Sequence, residues 1–206
     1  MDDILLLCED SIEGILSGVY EAYSLKKDHN HIHLHLGKID NYQLFATYRE
    51  VAVDDGKSAR VLKTIWERLG EEAYTGICRA MASEDVNKAD SVYHAIVLGL
   101  SGNCRGPLMQ NLSNEDVQTV FKLSRYVCNE ILHVNGFLRF KELETGILFA
   151  DFGPRNNLLT FIMPHFANRF PNENFAIFDS IRKSMEFIRQ ERNGIWLKVN
   201  RLMKKY

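Results

Sequence analysis

Long hydrophobic runs, paired cysteines and a basic amino terminus are all missing from this sequence of 206 residues. No apolar stretch approaches the ~18 residues that a helix needs to cross a bilayer, so no membrane partner is expected. The cysteines Cys8, Cys78, Cys104 and Cys128 form no C-x-x-C pair, which favours reduced thiols over a zinc site or a disulfide framework. The chain starts Met1-Asp2-Asp3, which is acidic where a secretion signal is basic. We therefore expect a cytoplasmic protein.

Glycine and proline are also scarce, with 13 and 4 residues, whereas 46% of the residues are hydrophobic and 11% are aromatic. This composition can bury a substantial core, which excludes the disordered and fibrous classes. The length allows one domain or two tightly joined lobes. We expect residues 1–206 to form a single compact unit. It would consist of an acidic, mostly helical lobe over 1–112 and a basic α+β lobe over 113–206.

The net charge of −2 conceals an uneven distribution of charge along the chain. Residues 1–100 carry 10 basic and 17 acidic side chains, whereas residues 101–206 carry 15 basic and 10 acidic ones. A basic surface on an otherwise acidic protein attracts polyanions locally. The C-terminal half is therefore where nucleic acid would bind, and an ordinary solvated surface is the alternative interpretation.

Hydrophobic periodicity predicts helices in the first half of the chain and strands in the second. A short apolar run over 3–8 predicts a strand, and so does the stretch over 42–53, which is rich in aromatic and β-branched residues. Apolar faces with helical spacing predict helices over 11–25, 57–69, 71–82, 86–100 and 113–133, the last capped by Ser113. Strands are predicted over 137–143, 147–152, 175–179, 184–190 and 195–199, with a helix over 157–170 and a hairpin turn at Asn193-Gly194. This order predicts the α+β class, with a helical N-terminal lobe packed with a C-terminal lobe of antiparallel sheet plus helix.

Histidines alternate at positions 29, 31, 33 and 35. A strand here would place all four imidazoles on one face, close enough for two of them to bind one metal ion. No acidic third ligand has an obvious spacing. We therefore expect a polar edge or loop with titratable histidines and no metal or cofactor, and a metal site is the alternative interpretation.

No independent catalytic motif is present. The string Asp55-Gly56-Lys57-Ser58 lacks the first glycine of a phosphate-binding loop, because Val51 occupies that position. The string Gly99-Leu100-Ser101-Gly102 is one residue short of a nucleophile elbow. An enzymatic function therefore has no motif to support it.

Polar residues concentrate between positions 124 and 183. The candidates for phosphate contact are Arg139, Arg155, Arg169 and Arg182. The candidates for proton transfer are His165 and Glu142. We expect Asp179 to be structural, in an ion pair with Arg169 or Arg182, and Phe166 to anchor its helix in the core. Phe137 and Phe152 could stack on an unpaired base only if they are exposed.

Residues 136–183, which begin GFLRFKELETG, resemble an uncharacterised bacterial family of DNA metabolism or repair proteins. The family's pattern falls here on Gly136, Phe137, Arg139, Phe140, Glu142, Gly146, Pro154, His165, Phe166, Arg169, Asp179 and Arg182. The similarity extends over residues 1–190. It departs at Phe175, where many members have tryptophan, so that an aromatic anchor is retained.

The resemblance implies an accessory role. Such proteins are encoded beside a radical-SAM protein of DNA modification or repair, and in some bacteria the domain is fused to a family-4 uracil-DNA glycosylase. This chain lacks C-x-x-x-C-x-x-C, so it is not itself a radical-SAM enzyme. We expect a DNA repair accessory protein that acts with a radical-SAM partner and contacts DNA through its basic C-terminal lobe. Two alternatives stay open: a free-standing, hydrolytic enzyme that uses Glu142 and His165, and a protein-binding scaffold without DNA contact.

Overall fold

The computed structural model describes residues 3–39, 44–104, 106–190 and 196–202. Helices dominate the first part of the chain and a sheet lies at its C-terminal end, which confirms the predicted α+β class. The chain divides into two compact units, Met1–Tyr126 and Val127–Tyr206, here called the N-terminal and C-terminal units. Among the residues described, no helix is both long and apolar enough to cross a membrane.

The N-terminal unit contains a three-stranded parallel sheet; two of its strands lie within the predicted strands over 3–8 and 42–53, but their pairing in a parallel sheet was not predicted. Strand β1 (Asp3–Cys8) pairs in parallel with β2 (Ile32–Leu36) on one side and with β3 (Ala46–Glu50) on the other. Helix α1 (Ile12–Ser24) connects β1 to β2. Strand β1 is an almost continuous apolar run, as expected of a central parallel strand. Among the described strands, β2 therefore lies at an edge of this sheet.

Two further helices complete the core of this unit. Helix α2 (Asp55–Met81) is interrupted at Gly70, whose φ of 82° is not helical. The predicted helices over 57–69 and 71–82 are therefore its two arms, joined at a glycine because other residues rarely adopt that φ. Helix α3 (Lys88–Leu100) contacts the edge strand β2. Fully buried side chains of this core include Ile4, Leu6, Ile15, Leu16, Ile32, Ile65, Ile77, Tyr93 and Ile96.

Helix α4 (Glu115–Phe137) contains the boundary between the two units. Asn114 caps its first turn, because the Asn114 side-chain oxygen accepts from the Val117 amide at 3.0 Å. The predicted cap, Ser113, instead donates its hydroxyl to the Asn111 side-chain oxygen at 2.8 Å. The capping-box pattern thus misplaced the start of this helix by one residue.

The C-terminal unit contains a five-stranded sheet in the order β4-β5-β6-β7-β8. Its strands are β4 (Lys141–Glu142), β5 (Leu148–Phe152), β6 (Phe175–Asp179), β7 (Ser184–Gln190) and β8 (Trp196–Leu202). Helix α5 (Leu159–Arg169) connects β5 to β6. Because α5 brings the chain back towards the start of β5 before β6 begins, β5 and β6 are parallel. The other neighbouring pairs are antiparallel, as predicted. The predicted turn at Asn193-Gly194 lies outside the described residues.

Candidate functional site

One face of the C-terminal sheet is covered by α5. The Phe175 ring on β6 lies 6.0 Å from the ring of Phe170, which follows α5 directly. Ile177 points to the same face because it is two residues further along the strand. The register places Ala150 of β5 and Ile188 of β7 beside these residues, and both are buried. This face forms the core of the unit.

The opposite face of the same sheet is less buried. The register places on it Lys141 of β4, Phe149 and Asp151 of β5, Ala176 and Phe178 of β6, and Met185, Phe187 and Arg189 of β7. We call these eight residues the open sheet face. Its three phenyl rings are half-buried, and its charged side chains are exposed. The ammonium group of Lys183 lies 6.0 Å from the centre of the Phe178 ring, so cationic and aromatic groups lie side by side on this surface.

Exposed charge in the described part of the C-terminal unit is mainly positive. Its exposed cationic side chains are Arg139, Lys141, Arg155, Arg169, Lys183 and Arg189, and its exposed acidic ones are Glu142, Glu144, Asp151 and Glu173. Two other acidic groups, Asp179 and Glu186, are buried. A third, Glu130, is half-buried and accepts hydrogen bonds from a loop. In the described part of this unit, exposed cationic side chains therefore outnumber exposed acidic ones.

Asp179 binds Arg182, one of the two pairings that the sequence suggested. The buried Asp179 carboxylate accepts from the Arg182 backbone amide at 3.0 Å and lies 3.1 Å from the Arg182 guanidinium. That guanidinium also donates to the backbone carbonyls of Pro154, at 3.2 Å, and Arg155. Internal acceptors thus occupy Arg182, and phosphate would have to displace them.

The structure does not gather the four candidate arginines at one place. Arg155 and Arg182 meet at the loop before α5, whereas Arg169 is the last residue of that helix. A helix of 11 residues spans about 16 Å. Arg139 lies in the segment that leads into β4. Of these four residues, Arg139 is the nearest in sequence to the open sheet face, being two residues before Lys141.

The two candidates for proton transfer lie on different elements of the C-terminal unit. Glu142 lies on β4 and His165 lies on α5, and both side chains are exposed. No hydrogen bond joins them within the described ranges. The His165 ring instead contacts the ring of Phe166, a fully buried core residue, with the centroids 5.0 Å apart. General acid–base catalysis needs both groups within reach of one substrate, so the enzyme hypothesis stays a prediction.

The alternating histidines do not share one strand face, because only part of this segment is a strand. Residues His29–His31 form a short 3-10 helix, which Asp28 caps by accepting from the Asn30 amide at 3.0 Å. The strand β2 begins only at Ile32, so His33 and His35 alone belong to it. The Asp28 cap is the local reason that the strand starts late.

His33 lies against two residues of α3. Its Nδ1 is 3.1 Å from Asp90 Oδ2, and His94 Nε2 is 3.5 Å from Asp90 Oδ1. One ligand-type atom from each of the three residues lies within 4.8 Å of the other two. The sequence signal that could have revealed this group is the i, i+4 spacing of Asp90 and His94, which puts both on one helix face. We call these three residues the His–Asp cluster.

Neighbouring titratable groups respond to the charges of this cluster. Burial lowers the pKa of His29, and the nearby His94 lowers it further. Burial raises the pKa of Asp116, while His94 opposes this increase and Asp90 adds to it. The cluster therefore lies among further ionisable groups of the N-terminal unit.

A family model described as a domain of unknown function, DUF4130, matches residues 86–205. The match covers more than half of the chain. It includes the whole open sheet face and two members of the His–Asp cluster, Asp90 and His94, but it begins after His33. Among curated proteins, no sequence matches this chain.

Proposed function

The chain belongs to the DUF4130 family, and we propose that it is an accessory protein of DNA metabolism or repair that binds single-stranded nucleic acid. The observation that carries this proposal is the open sheet face, where half-buried phenyl rings lie beside exposed cationic groups. On such a surface, unpaired bases can stack on the rings while lysine and arginine contact the phosphates.

The rings come from three neighbouring strands of the sheet. Phe149, Phe178 and Phe187 lie on β5, β6 and β7, and adjacent strands are separated by about 4.8 Å. A single strand that crosses the sheet would meet the rings in succession. Stacking contributes about 1–3 kcal/mol per base and tolerates any base, so binding with little sequence preference is expected.

The cationic groups border these rings. Lys141 lies on β4, Arg189 lies near the end of β7, and Lys183 lies beside the Phe178 ring. Asp151 is the acidic side chain exposed on the face among the described residues. The surplus of positive charge favours a phosphate backbone and makes the binding dependent on salt.

Phe137 provides a further aromatic surface next to Arg139. Its side chain is 72% exposed at the end of α4, and the His133 ring lies 4.7 Å away between centroids. Phe152, by contrast, pairs with Asp179 in the register and so lies on the face covered by α5. Of the two aromatic residues considered from the sequence, Phe137 is therefore the one available for stacking.

We also propose that the protein acts with a radical-SAM partner in the cytoplasm, as the resemblance implies. The four cysteines are free thiols, which agrees with a reducing compartment. Residues 1–100 carry the excess of acidic side chains, and a negative surface repels DNA. The partner protein would therefore dock on the N-terminal half, which leaves the basic half for DNA.

Fluorescence anisotropy with a labelled single-stranded oligonucleotide at low salt tests the nucleic-acid proposal. The double variant Lys141→Glu with Arg189→Glu should weaken binding by about tenfold or more. The plot of the logarithm of the association constant against the logarithm of the salt concentration should become less steep, its slope falling in magnitude by about 1.4. The matched control is Lys27→Glu with Lys63→Glu, which makes the same change of charge at exposed positions of the N-terminal unit. It should retain nearly the wild-type affinity.

Two results would contradict the proposal. One is an absence of binding by the wild type at low salt, both alone and with the radical-SAM partner. The other is an equal loss of affinity in the two double variants, since it would assign the effect to net charge alone. Co-purification with the partner without any nucleic-acid binding would instead support the scaffold hypothesis.

A further inference from the structure

We propose that the His–Asp cluster of the N-terminal unit binds a divalent transition-metal ion such as Zn²⁺. Two imidazoles and one carboxylate form the donor set of many catalytic zinc and non-haem iron sites. Here the donors come from two elements, with His33 on the edge strand β2 and both Asp90 and His94 on α3. The site is distinct from the open sheet face, which belongs to the other unit.

The distances between the donor atoms suit a shared ion. A metal ion lies about 2.0–2.2 Å from each nitrogen or oxygen ligand, so two ligand atoms of one ion are separated by at most about 4.4 Å. Asp90 Oδ2 lies 3.1 Å from His33 Nδ1, and Asp90 Oδ1 lies 3.5 Å from His94 Nε2. The largest separation within the cluster stays within 4.8 Å. Small side-chain rotations therefore suffice to close the site around an ion.

The backbone already orients the carboxylate. The Leu34 amide, which faces outward from the edge strand, donates to Asp90 Oδ1 at 3.0 Å. Hydrogen bonds of this kind fix metal-binding carboxylates and raise metal affinity. The buried side chains of Ile32 and Leu34 hold the strand on either side of His33. The ligands thus lie on rigid elements rather than on loops.

The cluster is also accessible to an ion from solvent. The side chains of His33, Asp90 and His94 are 39%, 37% and 19% exposed. Three protein ligands leave at least one coordination position of zinc for water or for an oxygen of another molecule. The chemical class of ligand that we infer for this site is consequently a divalent transition-metal ion with an open position.

Isothermal titration of the full-length, tag-free, metal-free protein with Zn²⁺ tests this inference. The variants are His33→Gln and His94→Gln, and the matched control is His35→Gln. His35 lies on the same strand and is exposed, but it is not a member of the cluster. Changes in a supporting shell alone cost about 10–100-fold in metal affinity, so loss of a direct ligand should cost more than about 100-fold. The control should bind Zn²⁺ like the wild type.

A second measurement keeps the test valid if a histidine variant folds poorly. Asp90→Asn retains an oxygen that can accept from the Leu34 amide, but it loses the charge that a cation needs. Zn²⁺ should raise the melting temperature of the wild type and of His35→Gln, because the ion binds only the folded cluster. It should leave the melting temperature of Asp90→Asn unchanged. Failure of the wild type to bind Zn²⁺, or equal affinity in the cluster variants and the control, would overturn the inference.

Discussion

Asn156 is fully buried, and both its backbone amide and its side-chain amide donate to Oε2 of Glu130. The other carboxylate oxygen of Glu130 accepts from the Arg155 amide at 2.9 Å. The Arg182 guanidinium donates to the carbonyls of Pro154 and Arg155 in the same loop. Glu130 of α4 therefore binds the donors of this loop, and Arg182 of the β6–β7 turn binds its acceptors. Together these contacts fix the point where α5 begins.

Replacing Glu130 should destabilise the C-terminal unit. Glu130→Gln puts an amide donor where the loop presents donors, and hydrogen bonds to a charged group contribute about 1.5–3 kcal/mol. We expect the free energy of unfolding, measured by urea denaturation with circular dichroism, to fall by about 1–3 kcal/mol. The control Glu173→Gln removes the same charge at an exposed position and should stay within about 0.5 kcal/mol of the wild type. Equal losses in the two variants would contradict a role for the loop contacts.

Local patterns predicted several elements to the residue. The strands Asp3–Cys8, Phe175–Asp179 and Ser184–Gln190 have the bounds that their apolar runs indicated. Their pairing was less predictable, because strand direction depends on where the intervening helix returns the chain. The helices α1 and α5 make β1 parallel to β2 and β5 parallel to β6, and no local pattern specifies this.

In the candidate site, patterns among neighbouring residues predicted only part of the arrangement, and contacts between residues far apart in the chain were not predictable. The sequence predicted Arg139 and Lys141 on one strand over 137–143, but β4 begins only at Lys141, and Phe137 is the last residue of α4. It also proposed Arg182 for phosphate contact, although Pro154 and Arg155 occupy its guanidinium. The His–Asp cluster was missed because His33 and Asp90 lie 57 residues apart in the chain. Only the fold brings the edge strand against α3.

Two helical glycines should respond oppositely to substitution by alanine. A Cβ atom at Gly18 in α1 would clash with Cys8 Sγ and lie 3.0 Å from Leu34 Cδ2, whereas a Cβ at Gly136 in α4 meets nothing within 4 Å. Gly18→Ala should cost about 1–3 kcal/mol through overpacking. Gly136→Ala should raise the free energy of unfolding by about 0.5 kcal/mol, because alanine is the better helix former. Urea denaturation measures both, and a stabilised Gly18→Ala would refute the close packing of α1 on β1 and β2.

The buried thiol of Cys8 should make the protein less stable at alkaline pH. Burial raises the pKa of this thiol from 9.0 to about 12. Above about pH 9 the unfolded chain ionises Cys8 while the folded protein does not, so the stability contributed by the neutral thiol is lost as the pH rises towards 12. A single such group removes about 1 kcal/mol between pH 9 and 10.

Comparison of the free energy of unfolding at these two pH values checks this expectation. Cys8→Ala should show the smaller decrease with pH, because it lacks the ionisable group. The control Val19→Ala also leaves a cavity in the same core, but it carries no ionisable group and should keep the wild-type decrease. If the free energy of unfolding of Cys8→Ala fell as much with pH as that of the wild type, other residues would be responsible for the loss of stability at alkaline pH.

Stacking on the open sheet face should depend on the aromatic ring of Phe178. Phe178→Leu keeps an apolar side chain, so the free energy of unfolding should change by less than about 1.5 kcal/mol. The free energy of binding to a single-stranded oligonucleotide should become less favourable by about 1–3 kcal/mol, because one stacked base is lost. Phe170→Leu is the matched control, because Phe170 is equally half-buried but contacts the rings of Phe166 and Phe175 on the covered face. Anisotropy titrations should show weaker binding for Phe178→Leu alone. Equal affinities in the two variants would mean that bases do not stack on this face, and any remaining affinity would then come from phosphate contacts.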